Sequence, residues 1–225
     1  MAQGGVDRSS RRRSSGGASP TGSPPNGGAC GECCAAPRMS PVQEVFNGLT
    51  MVPTACMSLH TILFPSGGST PQDLVLAAAI LIHFPFSFLY HLHCAVHHGT
   101  VDPIENNLLL KLDLAFIHIS GTFMALATSR SFLWFLGNGV FNLVSAYRIL
   151  KWRNTMTERR VCRLVCALGY MLPVLVVDSV LFFRTLLAFL AMAGCFVFNQ
   201  QLRGWGHSLS HMLLVPFAAC LFAAS

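Results

Sequence analysis

Charged residues are scarce in this chain of 225 residues. Asp, Glu, Lys and Arg together make up 11% of the sequence, against about a quarter in soluble domains. Hydrophobic residues make up 52%. This deficit of charge excludes an ordinary soluble domain, because most of the folded surface cannot face water. It favours a multi-pass membrane protein built from apolar spans of about 20 residues each.

Large apolar side chains are nearly absent from the first 40 residues, which are rich in Gly, Ser, Pro and Arg. A segment of this composition buries too little surface to offset the entropy lost on ordering. No apolar run follows its arginines closely enough for a signal peptide. We therefore expect residues 1–40 to form a disordered cytosolic tail and residues 41–225 to form the membrane domain.

The nine cysteines are not arranged as the framework of a disulfide-rich domain. Cys residues in or beside apolar runs behave as small hydrophobic side chains, and five belong to this group: Cys94, Cys162, Cys166, Cys195 and Cys220. The tail cysteines Cys30, Cys33 and Cys34 are interpreted either as reduced thiols or as palmitoylation sites. Too few Cys and His residues lie near them to complete a zinc site.

Seven apolar runs follow Pro41 and predict an all-α bundle of seven membrane-spanning helices. They cover residues 43–64, 73–97, 106–128, 130–150, 160–178, 180–199 and 206–224. Basic residues cluster in the tail and between the fourth and fifth runs, and Arg203 lies between the sixth and seventh. Because Lys and Arg favour cytosolic loops, this pattern predicts a cytosolic N-terminus. The net charge of +6 therefore indicates contacts with membrane lipids and not with nucleic acid.

Five polar residues inside the apolar runs are candidates for function, because ionisable groups in a membrane are costly. Ser87 and His91 lie four residues apart in the second run, Asp113 lies in the third, and His207 and His211 lie four residues apart in the seventh. Residues at i and i+4 share one face of a helix. Taken singly, they have plainer explanations: an interfacial histidine pair, an Asp favoured by the helix dipole, or a Ser bonded to its own helix.

Depth in the membrane predicts that these residues meet. In the predicted orientation, His91, Asp113 and His211 each lie about five to seven residues from a cytosolic helix end, or roughly 8–10 Å deep. We predict that His91, His207 and His211 bind Zn²⁺ and leave one position open, where water becomes acidic. Asp113 is predicted to accept a hydrogen bond from that water or to act as general base, and Ser87 is predicted to orient a ligand or stabilise an oxyanion. His83, two turns from His91 on the same face, is a candidate for lining a cavity.

These residues also carry a family resemblance. The segments Ser87-Phe-Leu-Tyr-His91, Leu112-Asp113 with Gly121-Thr122, and His207-Ser-Leu-Ser-His211 resemble the hemolysin III and adiponectin/progestin receptor family. That family belongs to a wider superfamily with the alkaline ceramidases, and the resemblance extends over residues 42–224. It implies a seven-helix bundle with zinc held by the three histidines near the cytosolic face, with Asp113 and Ser87 in supporting roles.

Three functions are compatible with this pattern. The first is a zinc-dependent intramembrane hydrolase that acts on a lipid amide or ester. The second is a receptor or signalling protein whose zinc is structural, and the third is a pore or lipid-homeostasis protein without catalysis. All three have membrane lipids as partners and a lipid as the expected substrate or ligand.

Overall fold

The computed structural model describes residues 39–65, 69–98, 107–151 and 155–225. All regular secondary structure in these residues is helical, which confirms the predicted all-α class. The helices are α1 (Pro41–Leu63), α2 (Pro71–Val96), α3 (Leu108–Ser129), α4 (Phe132–Leu150), α5 (Met156–Val177), α6 (Ser179–Val197), α7 (Gly206–Met212) and α8 (Leu214–Phe222). The predictions for the tail, including Cys30, Cys33 and Cys34, concern residues 1–38 and lie outside the described residues.

Polar side chains fix the first residues of six helices. Each cap accepts a hydrogen bond from a backbone N–H three residues later, a donor that has no partner within the helix. Capping boxes start α1, α2 and α5, and they consist of Ser40 with Gln43, Thr70 with Asp73, and Thr155 with Glu158. Single caps start α3, α4 and α6 at Asn107, Ser131 and Asp178. Asp178 is also the last cap of α5, so one residue separates α5 from α6.

The seventh apolar run, predicted as one span over residues 206–224, is an apolar helix over Gly206–Phe222 with a one-residue break. The break lies at Leu213, between α7 and α8. Pro216 explains it, because proline has no N–H to donate to the carbonyl of Met212 and its ring clashes with that carbonyl. The chain continues as a helix on both sides of the break.

Four of the described helices are long and apolar enough to cross a membrane: Pro71–Val96, Leu108–Ser129, Thr157–Val177 and Ser179–Val197. The apolar helix Gly206–Phe222 is shorter. Large apolar side chains also cover the outside of the bundle; Leu133 and Val176, for example, are 80% and 89% exposed. Apolar surface of this extent requires a nonaqueous partner, and a lipid bilayer supplies one.

The helices form a ring around the interior of the bundle. Around this ring, α1 packs against α2, α2 against α3, α3 against α5, α5 against α6, and α6 against α7 and α8, which return to α1. α4 packs on α3 and α5. The main core lies toward one end, among Leu76, Met171, Val174, Phe217 and Leu221. This ring places α2, α3 and α7, which carry the five polar candidates, around one interior space.

Gly206 allows α7 to begin against the last turn of α6. A Cβ atom there would overlap the carbonyl oxygen of Cys195 and lie 2.9 Å from Cα of Asn199. We expect Gly206→Ala to lower the melting temperature by several degrees, since overpacking against backbone costs about 1–3 kcal/mol. Gly194→Ala in α6 is the matched control, because a Cβ there meets nothing within 4 Å. Its helix should gain about 0.5–1 kcal/mol. Thermal unfolding in detergent measures the melting temperatures of both variants. Equal melting temperatures would contradict the close contact of Gly206 with the end of α6.

Candidate metal centre

Three histidines from two helices meet inside the bundle. His91 lies near the end of α2, and His207 and His211 lie one turn apart on α7. Their ligand atoms all lie within 4.8 Å of one another. The centroids of their rings are 4.5 to 5.3 Å apart. His91 is fully buried and His211 is nearly so. The structure therefore brings together the three predicted ligands, and this triad can hold a metal ion.

Hydrogen bonds to Nδ1 orient two of the three rings. Nδ1 of His91 lies 2.7 Å from Oε2 of Glu44, and Nδ1 of His211 lies 2.9 Å from the backbone oxygen of Asn47. Because both oxygens accept, each Nδ1–H donates and each Nε2 carries a lone pair; that of His91 faces Nε2 of His207 at 3.3 Å. Metal-binding histidines are usually held in this way, with the second ring nitrogen bonded to a carboxylate or a carbonyl.

The distance between two of the ligand nitrogens matches a tetrahedral site. Zinc binds imidazole nitrogen at about 2.0–2.1 Å, so two ligand nitrogens of a tetrahedron lie about 3.3–3.4 Å apart. Nε2 of His91 and Nε2 of His207 are 3.3 Å apart. Three neutral imidazoles leave one position of the tetrahedron for water or substrate. Imidazole also binds copper, iron and nickel, so the arrangement indicates a metal site without selecting the metal.

Glu44 is the main site residue that the sequence analysis missed. It lies in the first turn of α1, is 6% exposed, and bonds to His91 across 47 positions of sequence. The available signal was a carboxylate within an apolar run, which is rare enough to mark a functional residue.

Asn47, one turn after Glu44, connects α1 to α7. Its side-chain oxygen accepts a hydrogen bond of 2.6 Å from the Ser208 hydroxyl, and its backbone oxygen accepts the bond from His211. Its side-chain nitrogen lies 3.4 Å from Oε2 of Glu44. Gln43, on the same face of α1, donates a 2.8 Å hydrogen bond to the backbone oxygen of Arg203. This face of α1 therefore positions ligands on two different helices.

Asp113, the predicted base, lies beside the triad but outside the ligand set. It is 8% exposed, and its Oδ1 lies 3.0 Å from Nε2 of His83. The Ser87 side chain also interacts with this carboxylate, and His91 and His211 lie within electrostatic range of it. The structure thus brings Ser87 and Asp113 together, and it adds His83 to them.

A cavity of about 270 Å³ adjoins the triad. Its walls are largely apolar. Six helices form most of the lining (α1, α2, α3, α5, α6 and α8), and α7 contributes Ser210 and His211. Apart from hydroxyl groups, its polar wall is formed by His83, Arg163 and His211. An apolar cavity with a few convergent polar groups is the usual form of a binding site for a small hydrophobic molecule.

Arg163 on α5 gives this end of the cavity positive charge. Its Nε donates a 3.3 Å hydrogen bond to the backbone oxygen of Arg159. It interacts electrostatically with Asp113 and with His207. The structure places Arg163 on the cavity wall.

No protein-family model, no curated protein and no solved structure matches this chain.

Proposed function

We propose that this chain is a membrane hydrolase that uses zinc to cleave a lipid amide or ester. In this proposal it is a seven-span protein with a cytosolic N-terminus. It belongs to the superfamily of the hemolysin III proteins, the adiponectin/progestin receptors and the alkaline ceramidases. The motifs around Ser87, Asp113 and His207 support the family assignment. The four long apolar helices support the location in a membrane.

One observation carries the proposal: a buried histidine triad opens onto an apolar cavity. His211 belongs both to the triad and to the cavity wall. A ligand in the cavity therefore lies next to the metal position. A purely structural metal is usually closed off by four protein ligands. The described residues supply three, and this favours a site that binds water or substrate.

Zinc is the metal we propose, because three neutral nitrogen ligands and an open position are typical of catalytic zinc. When bound, zinc supplies Lewis-acid chemistry that polarises a carbonyl and activates water near neutral pH. The protein contributes the orientation of the ligands through Glu44 and Asn47. It also contributes an apolar cavity that holds the lipid chains and limits the access of water.

Asp113 supplies the carboxylate on which the proposed acid–base step beside the triad depends. Ser87 is only 2% exposed, does not line the cavity, and interacts with Asp113. These contacts favour a role for Ser87 in orienting Asp113 over a role in binding an oxyanion. During hydrolysis, water adds to the lipid carbonyl and gives up a proton, and the bond to the amine or alcohol breaks. The departing atom then takes a proton.

The test is zinc content measured together with turnover of fluorescent short-chain ceramide and a matching ester. We expect wild-type protein to contain zinc and to release fatty acid. Asp113→Asn should keep the zinc and lose about 10²- to 10⁴-fold in kcat, the usual contribution of a general acid–base group. The control is Glu158→Asn, which removes a carboxylate paired with Arg148 at 2.9 Å, far along the sequence from the triad.

Three results would overturn this proposal in different ways. Wild-type protein without zinc removes the metal site. Zinc without turnover of either lipid favours the receptor or lipid-homeostasis alternatives, in which zinc is structural. Full activity in Asp113→Asn removes Asp113 from the reaction while leaving the hydrolase intact.

A further inference from the structure

His83 separates Asp113 from the cavity. The His83 side chain is 21% exposed and the Asp113 side chain is 12% exposed. His83 forms part of the cavity wall, whereas Asp113 does not. A carboxylate behind the wall cannot be the group that exchanges protons directly with a molecule in the cavity. The residue that bonds to it from the wall is placed to do so.

The hydrogen bonding of His83 sets the direction in which it can act. Its Nε2 lies 3.0 Å from Oδ1 of Asp113. Since the carboxylate accepts, Nε2–H donates, and Nδ1 carries the free lone pair. Among the described residues none is a hydrogen-bond partner for Nδ1. This is the arrangement of a catalytic Asp–His pair, in which the carboxylate fixes the tautomer and stabilises the imidazolium that forms.

The position of His83 along α2 also matters. It lies eight residues before His91, so its Cα is about 12 Å from that of His91 along the axis and on a nearby face. The charged or titratable groups around it are Asp113 from α3, His211 from α7 and Arg163 from α5. His83 therefore lies at the polar end of the cavity but is not one of the three histidines of the metal triad.

From these contacts we infer that His83 is the residue that transfers protons to and from the lipid in the cavity, and that Asp113 positions it. For an amide, His83 Nδ1 takes a proton from the attacking water as the water oxygen bonds to the carbonyl carbon. The carbon–nitrogen bond then breaks, with its electron pair going to nitrogen. His83 gives the proton to that nitrogen, and the products are a fatty acid and an amine. This inference rests on the proposed hydrolase and names a further residue in it.

The test compares His83→Gln and His83→Ala with wild-type protein, using the same fluorescent ceramide. His83→Gln should lower kcat by about 10²- to 10⁴-fold with little change in KM, and it should keep its zinc. The acid limb of the pH–rate profile should flatten. In His83→Ala, added imidazole should restore part of the activity because it fits the space of the lost ring. His93→Gln is the matched control on α2, since the His93 ring lies against that of His97, with the ring centroids 4.4 Å apart.

The possible results separate the role of His83 from the proposed hydrolase function. A fall in kcat with intact zinc and rescue by imidazole supports the role of His83. Wild-type kcat and pH profile in His83→Gln would overturn that role while leaving the hydrolase standing. Loss of zinc in His83→Gln would overturn it as well, because His83 would then be a structural support of the triad. A wild-type protein that binds no zinc or cleaves no lipid removes the proposed function, and the role of His83 with it.

Discussion

Replacing His211 by alanine is expected to abolish zinc binding in the purified protein. Wild-type protein should hold about one zinc ion per chain, as a site with three histidines does. His211→Ala removes one of the three ligands, and it also frees the Asn47 carbonyl that accepted the bond from Nδ1. Two histidines hold zinc far more weakly than three, so we expect the metal to be lost during purification. Inductively coupled plasma mass spectrometry of the detergent-solubilised protein measures this directly.

His60→Ala is the control for that measurement. His60 is an exposed histidine near the end of α1, where its ring lies 5.3 Å from that of Phe64. Its loss should leave zinc content unchanged. If His211→Ala and His60→Ala retained the same zinc as wild-type protein, the metal would lie elsewhere in the chain. The triad would then be an ordinary cluster of hydrogen-bonded rings.

The triad was predictable from two features of the sequence, the spacing of the histidines in the seventh run and the predicted depth of His91 in the membrane. His207 and His211 are separated by one helical turn, a spacing that can be read from the sequence. His91 was joined to them by depth, since residues at similar distances from the same membrane face lie in one layer. The structure brings these three histidines together. The helix boundaries were also close to prediction, because Ser, Thr, Asn and Asp caps and the prolines lie at the ends of the apolar runs.

Long-range pairs were not predictable in the same way. Glu44 bonds to His91 only because α1 packs against α2 with a particular rotation, and no pattern in either helix fixes that rotation. His83 was expected to line a cavity, and it does. Its bond to Asp113, however, depends on the packing of α2 against α3. The break at Leu213 had a visible cause in Pro216, but prolines also lie within α1, α2 and α5 without ending them.

Because Glu44 bonds to His91, Glu44→Gln tests whether the Glu44 carboxylate supports metal binding. The substitution keeps the length of the side chain and an oxygen that can accept from Nδ1, but it removes the negative charge. Loss of such an outer partner typically weakens metal affinity by about 10- to 100-fold. We expect that decrease in zinc affinity, measured by competition with a chromogenic chelator. Glu44→Ala should have a larger effect, because it leaves Nδ1 of a fully buried ring without a partner.

Glu158→Gln is the matched control, since Glu158 also lies in the first turn of a helix but pairs with Arg148 on the surface. An exposed pair of this kind contributes little to stability and should not affect zinc. If Glu44→Gln bound zinc as tightly as Glu158→Gln, the carboxylate would serve only to stabilise the packing of α1 against α2. If its affinity fell as expected while its melting temperature stayed near that of wild-type protein, α1 would be a functional part of the metal site. The first apolar run would then contribute to the metal site. Its composition does not indicate this role, because a single buried charge changes its average hydrophobicity very little.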